Sequence, residues 1–126
     1  MYTVKEIIPY ALTRDIVLQD ESKHQITAFD DSDIRGDDEF SFLKVGSSYN
    51  FKIGILGDVA DTGKKFLVAG HQRIGETSFV KLRDESGHAF YLEPDGQLPE
   101  KFGQSIRVEV KRYELLQVND VIKNSF

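Results

Sequence analysis

The sequence predicts an all-β protein built from two pseudo-repeats, which form either one small antiparallel barrel or a pair of packed half-units. Hydrophobic residues alternate with polar ones along most of the chain, and the spacing typical of amphipathic helices is scarce. Residues 2–31 overlay residues 66–95 at a shift of 64 positions, and residues 44–53 overlay residues 101–110 at a shift of 57. Because the matches keep the same order, we interpret residues 1–126 as one compact domain with a β-rich unit used twice, at about 1–63 and 64–126.

Each predicted strand is an alternating segment bounded by turn residues. Pro9 ends the first strand, where its missing N–H removes no ladder hydrogen bond. The segment Asp61-Thr62-Gly63-Lys64 predicts a turn, and the long connections are 30–45 and 94–104. The predicted strands are 2–8, 14–20, 24–29, 49–58, 65–70, 78–84, 88–93 and 105–115.

The repeated hairpin fixes the register of this pattern. We predict that Glu85-Ser86-Gly87 forms a three-residue loop with Gly87 in the left-handed conformation. A slip of one residue would mix the apolar and polar faces, so this register is favoured. Lys23 replaces the glycine in the first hairpin, and a left-handed lysine costs about 1 kcal/mol, so that turn could be shaped differently. The predicted cross-strand pairs are Asp84–His88, Leu82–Phe90 and Val80–Leu92, with Asp20–His24 in the first hairpin.

Two glycine-led segments carry a resemblance to a known fold. Lys101-Phe102-Gly103-Gln104-Ser105-Ile106-Arg107-Val108-Glu109-Val110 resembles the closing part of an OB-fold barrel, where a Gly often precedes the alternating strand that seals the barrel. Val45-Gly46-Ser47-Ser48-Tyr49-Asn50-Phe51-Lys52-Ile53 is similar. The resemblance is to the fold and not to a specific family, and it implies a small OB-like β-barrel.

Composition excludes several classes of protein. The chain is 40% hydrophobic, with nine Phe and five Tyr, which is enough for a packed core. It contains no Cys, which excludes disulfides and suits a reducing cytoplasm, the compartment that we expect. No stretch approaches the roughly 20 apolar residues of a membrane span, and no signal peptide is recognisable.

Charge is unevenly distributed along the chain. The net charge is −5; residues 1–63 hold six Lys/Arg and twelve Asp/Glu, whereas residues 64–126 hold ten and nine. A protein that binds duplex DNA is normally basic, so the balance counts against that function. The charge balance does not exclude a local nucleic-acid site within residues 64–126.

An acidic stretch, residues 30–39, is the first candidate site. An EF-hand loop begun at Asp31 would place Arg35 and Phe42 where oxygen ligands belong, so we predict no metal site of that kind. A solvated acidic loop is favoured, and a looser cation site or a patch for a basic partner is left open. The candidate acidic residues are Asp30, Asp31, Asp33, Asp37, Asp38 and Glu39.

Motifs for catalysis are lacking in the sequence. No nucleophile elbow and no phosphate-binding glycine loop is present. His24 and His88 occupy matching hairpin positions, and each is expected to form a cross-strand pair with an Asp rather than to bind a metal. We therefore expect no enzyme activity, no metal and no cofactor, and keep a metal-assisted enzyme centred on the acidic stretch as a third hypothesis.

The outer face of the second hairpin is the second candidate site. Aromatic rings interleaved with cations suit single-stranded nucleic acid or a protein hot spot, and the alternative is that this face is buried. We expect a non-catalytic binding module that engages a protein partner, with the acidic stretch at 30–39 as one surface for it. The alternative is a single-stranded nucleic-acid binder that uses the outer face of the second hairpin, and exposed strand edges would also allow a homodimer. The candidate residues are Phe79, Lys81, Arg83 and Tyr91, extended by Arg73, Arg107 and Lys111.

Overall fold

The computed structural model describes residues 1–32, 39–93 and 103–123 of the chain. Strands account for most of these residues and none of them is α-helical, so the all-β prediction is confirmed. Each predicted strand overlaps an observed one. The strands are β1 (Tyr2–Pro9), β2 (Arg14–Gln19), β3 (Gln25–Asp30), β4 (Ser48–Tyr49), β5 (Phe51–Ile74), β6 (Thr77–Arg83), β7 (Ala89–Leu92), β8 (Ser105–Val118) and β9 (Val121–Ile122).

The turn predicted at residues 61–64 is instead a bulge inside the continuous strand β5. Val59 and Lys64 both lie opposite Val108 of β8, so residues 60–63 loop out of the ladder without reversing the chain. Gly63 packs closely against β8, and a Cβ at that position would lie 2.3 Å from the carbonyl carbon of Val108. The segment keeps its direction because its flanks both pair with β8.

The nine strands form one mixed sheet that is not closed. Its order is β4-β1-β2-β3-β8-β5-β6-β7, with β9 beside β8 and a further contact between β5 and β7. The β3–β8 and β5–β7 pairs are parallel, whereas all other pairs are antiparallel. The prediction of a small antiparallel barrel is therefore wrong in two respects, because the sheet is not closed and two of its strand pairs are parallel. Period-two alternation carries no information on the relative direction of neighbouring strands, which is why the parallel pairs were missed.

Matching positions of the two halves make matching backbone contacts. Val4 N–H donates to Ser47 O at 2.9 Å, and Val68 N–H donates to Gln104 O at 2.8 Å. The register of β1 shifts after Val4, and that of β5 shifts after Val68. These pairs of positions are separated by the same shifts of 64 and 57 that align the sequence.

Both hairpins have the predicted register and the same turn. Lys23 and Gly87 both have positive φ, 68° and 84°, so the first turn keeps its shape despite the lysine. Oδ1 of Asp20 accepts the backbone N–H of Ser22 at 2.8 Å and of His24 at 2.9 Å. These bonds hold the turn around Lys23. Asp84 accepts the equivalent pair from Ser86 and His88 at 3.0 Å and 2.9 Å.

The main core lies between the two hairpins and the long strands β5 and β8. It contains the inward-facing residues of both hairpins, including Ile16, Leu18, Val80 and Leu82. A second, smaller cluster lies at the outer face of the second hairpin and consists of Ile74, Phe79, Tyr91 and Leu116. The second cluster occupies the surface that the sequence marked as a candidate binding site.

Candidate binding site

The two rings of the predicted aromatic surface are buried. Phe79 is 5% exposed and Tyr91 is 4% exposed, and both pack with Ile74 and Leu116. Burial raises the pKa of Tyr91, and the charge of Arg83 opposes that shift only in part. The alternative of a buried face therefore describes these rings, which are not available to stack on nucleotide bases.

The cations of the same surface are dispersed over three strands, β5, β6 and β8. Arg83 donates to Gly87 O at 3.0 Å, and Arg73 donates to Gly75 O at 3.3 Å. Arg107 donates to Gly63 O at 3.1 Å and so holds the bulge of β5. Lys81 is half-buried on β6. Lys111 lies far along the sequence on β8 and contributes to a different surface, described below.

The described part of the acidic stretch makes internal contacts. Asp30 is 2% exposed and accepts hydrogen bonds from Arg14 at 2.6 Å and 3.1 Å. Asp31 pairs with Lys123, and Glu39 is half-buried. Asp33, Asp37 and Asp38 lie outside the described residues. Asp30 and Asp31 therefore anchor the N-terminal end of this connection rather than presenting charge to a partner.

The two hairpin turns meet at a polar cluster that we call the hairpin junction (Tyr2, Asp20, His24, Lys64, Asp84 and His88). Each histidine lies near the aspartate of its own turn, with His24 Nδ1 3.7 Å from Asp20 Oδ2 and His88 Nδ1 3.7 Å from Asp84 Oδ1. The shortest contact instead joins the two turns, since His88 Nε2 lies 3.1 Å from Asp20 Oδ2. This contact between the halves was not predicted.

The charge states at the junction are set by its surroundings. Burial alone would raise the pKa of Asp20, but backbone N–H donors from His24 and Ser22, with the nearby His88 and His24 imidazoles, lower it overall. Burial, with smaller contributions from Asp84, Asp20 and Tyr113, raises the pKa of Tyr2 to about 12. Asp20 is thus an anion at neutral pH and Tyr2 keeps its proton. Among the described residues, no group of three or more His, Asp or Glu is arranged to hold a metal ion.

An open groove of about 720 Å³ begins next to the junction, and we call it the β3–β8 groove. It exists because β3 and β8 pair only at Ala28–Tyr113 and Phe29–Glu114 and separate towards their N-terminal ends. Lys64 belongs to both the groove and the junction, and Gln25 lines the groove beside the junction. The lining residues are Asp15, Gln25, Ile26, Thr27, Phe29, Lys64, Val110, Lys111, Arg112 and Tyr113.

The lining of the β3–β8 groove contains more cations than carboxylates, and each of these cations has a carboxylate partner outside the lining. Its lining includes Lys64, Lys111 and Arg112 but a single carboxylate, Asp15. The guanidinium of Arg112 lies 4.1 Å from the centre of the Phe29 ring and also binds Glu114 at 2.9 Å. Of these groove residues only Lys111 had been singled out from the sequence. Arg112 and Phe29 were missed because a parallel pair brings them together.

A second groove lies at the matching position of the other half, beside the parallel β5–β7 pair, and we call it the β5–β7 groove. It is smaller, about 310 Å³, and mostly apolar. Leu116 covers Gly54 there, and a Cβ on Gly54 would lie 2.9 Å from Leu116 Cδ1. Its lining residues are Gly54, Ile55, Leu56, Gly57, Phe79, Tyr91, Leu92, Glu93, Glu114 and Leu116.

Comparison with protein families, curated proteins and solved structures finds no match to this chain. Over the described residues, no helix has the length and apolar character needed to cross a membrane.

Proposed function

We propose that this protein is a non-catalytic binding module that engages a protein partner in the β3–β8 groove. The observation that carries the proposal is the separation of β3 from β8, which leaves an open groove, lined by three cations and one carboxylate, between two strands of an otherwise paired sheet. The polar groups of the hairpin junction bond mainly to one another and to the backbone of the turns. That arrangement supports a structural role for the junction and directs attention to the groove.

We also infer that the chain is built from two interlocked OB-like units derived from one duplicated segment. Each half contains a three-stranded antiparallel meander, β1-β2-β3 or the C-terminal part of β5 with β6 and β7. The third strand of each meander pairs in parallel with a long strand of the other half. This connectivity is compatible with the partly open, five-stranded plan of an OB-fold, and OB-folds use their second and third strands to bind ligands. In the first half those strands are β2 and β3, and β3 forms one wall of the β3–β8 groove.

The protein-partner proposal is tested with a displayed library of random peptides selected on the full chain. The groove variant is Lys111→Ala with Arg112→Ala, and the matched control is Lys5→Ala with Arg73→Ala, which removes two exposed cations elsewhere. We expect selected peptides to bind the groove variant about tenfold more weakly and the control unchanged, because charged groups at a groove rim attract the partner. Selected peptides that bind both variants equally would place the partner site elsewhere.

Single-stranded nucleic acid is the second candidate ligand, and one observation favours it. Phe29, Lys64, Lys111 and Arg112 share the groove, and an aromatic ring among cations suits stacked bases and phosphates. Fluorescence anisotropy with a labelled oligo-thymidine at low and high salt tests this function. We expect binding that weakens with salt and is lost in the groove variant. Absence of binding at low salt would reject nucleic acid as a ligand.

A further inference from the structure

We propose that the partner segment is an extended acidic peptide that adds as a strand to the free edge of β3 at Gln25–Thr27. This inference rests on the proposed function and specifies how the groove would be occupied. Strand addition uses main-chain hydrogen bonds for affinity and side-chain contacts for specificity. The argument depends on which backbone groups of β3 face the groove and on the charges of the opposite wall.

The hydrogen-bond pattern of the first hairpin indicates where the backbone groups of β3 point. Asp20 N–H donates to His24 O, so the pair Asp20–His24 is a hydrogen-bonded pair. Pairs alternate along an antiparallel ladder, so Gln25 and Thr27, opposite Gln19 and Val17, belong to non-hydrogen-bonded pairs. Their N–H and C=O groups therefore point away from β2 and towards the groove.

β3 pairs with β8 at the next two residues along the strand, Ala28 and Phe29. Because the N–H and C=O of Ala28 face β2, the Ala28–Tyr113 pair is formed through the C=O of Thr27 and the N–H of Phe29. The groups left for a new strand are therefore those of Gln25 and the N–H of Thr27.

The exposure of this edge is consistent with a strand-adding site. Gln25 and Thr27 are both exposed, although the same strand is buried at Ala28. Proteins usually cover or interrupt a free strand edge, because an open edge is a template for pairing with another chain. Here the facing wall includes the long cationic side chains of Lys64, Lys111 and Arg112, which can move aside.

Charge selects an acidic partner over a basic one. Lys111 pairs with Asp58 at 3.1 Å, and the two side chains are 65% and 68% exposed. Lys64 approaches Asp84 at 3.8 Å and is half exposed. Exposed ion pairs contribute little to stability, so a carboxylate of the incoming strand can replace Asp58 at small cost. An alternating acidic strand would place its backbone against β3 and its carboxylates against Lys64, Lys111 and Arg112.

Removal of a single backbone donor tests the edge itself. Thr27→Pro deletes the N–H that faces the groove without breaking a hydrogen bond to β2, and Thr27→Val keeps the N–H as the matched control. The probe is a synthetic peptide of alternating Glu and Val, titrated into the full chain and followed by backbone amide NMR shifts. We expect amide shifts at residues 25–27 of the unmodified protein. The peptide should bind Thr27→Pro about tenfold more weakly, because one hydrogen bond is lost. Equal binding to both variants would overturn the inference.

A modified peptide keeps the test valid if Thr27→Pro does not fold. N-methylation of alternate amides preserves the charge and side chains of the probe but removes its strand donors. We expect the methylated peptide to bind the unmodified protein at least about tenfold more weakly. If both peptides bind equally and the Lys111→Ala/Arg112→Ala variant binds neither, strand addition fails but the groove function stands. If an oligo-thymidine displaces the acidic peptide and binds more tightly, the groove is a nucleic-acid site and the inference is overturned.

Discussion

The β3–β8 groove and the β5–β7 groove occupy matching positions in the two halves but differ in what fills them. Both lie beside a parallel strand pair formed across the halves. The shift of 64 positions places Asp15 and Thr27 of the first groove on Phe79 and Tyr91 of the second. The second groove is therefore narrowed by rings, whereas the first is wider and polar. The same arrangement of strands therefore forms part of the core in one half and part of the surface in the other.

The side chain of Leu116 narrows the β5–β7 groove further. Leu116 is 4% exposed and packs on Gly54 and the two rings. Its match at a shift of 57 is Val59, which is 42% exposed at the start of the bulge in β5. Lys111 occupies the position that matches Gly54. The bulge at residues 60–63 and the change from Gly to Lys are therefore associated with the open groove.

Truncating one ring of the β5–β7 groove is expected to have the largest effect. Phe79→Ala removes a buried ring and leaves a cavity, so we expect the free energy of unfolding to fall by about 3–5 kcal/mol. The matched change in the open groove, Asp15→Ala, removes a half-exposed side chain whose partner is the exposed hydroxyl of Tyr10. It should cost no more than about 0.5 kcal/mol. Urea unfolding of both variants provides the measurement, and equal losses would mean that the two grooves do not differ as described.

Contacts within each hairpin could be predicted from the sequence, whereas contacts between the two halves could not. The register of the hairpins follows from alternation within about ten residues, so pairs such as Leu82–Phe90 were predicted. The pairing of Phe29 with Glu114 joins residues far apart in the chain, and no local pattern encodes it. The burial of Phe79 and Tyr91 depends on Leu116, which lies near the C-terminal end of β8. The groove could not be predicted for the same reason.

The two aspartates of the hairpin junction offer a second contrast, because they differ in whether their contacts cross between the hairpins. Asp20 reaches His88 of the other hairpin, whereas Asp84 contacts its own His88 and Lys64. We expect Asp20→Asn to lower the melting temperature more than Asp84→Asn at neutral pH. A larger effect of Asp84→Asn would contradict the assignment of Asp20 as the link between the halves.

The stabilisation from Asp20 should depend on pH in a defined direction. The pKa of Asp20 is lowered in the folded protein, so its contribution is present above the unfolded pKa of about 3.9 and is lost as the pH falls through the lower folded value. Unfolding free energies measured between neutral and strongly acidic pH should therefore fall less steeply for Asp20→Asn than for the unmodified protein. If the free energies of unfolding of the two proteins fall equally with decreasing pH, the charge of Asp20 does not stabilise the fold.

The smallest expected effect compares the two turns at their left-handed residue. Lys23 and Gly87 share a positive φ, but only lysine carries a Cβ that disfavours this conformation, by about 1 kcal/mol. Lys23→Gly relieves that strain and at the same time raises the entropy of the unfolded chain, so a net gain below about 1 kcal/mol is expected. Gly87→Lys should cost about 1 kcal/mol, since the space around Gly87 is open and only the backbone conformation opposes the side chain. Urea midpoints that move in opposite directions would establish that one turn shape serves both hairpins. A loss in both variants would show that Lys23 makes a favourable contact that offsets its strain.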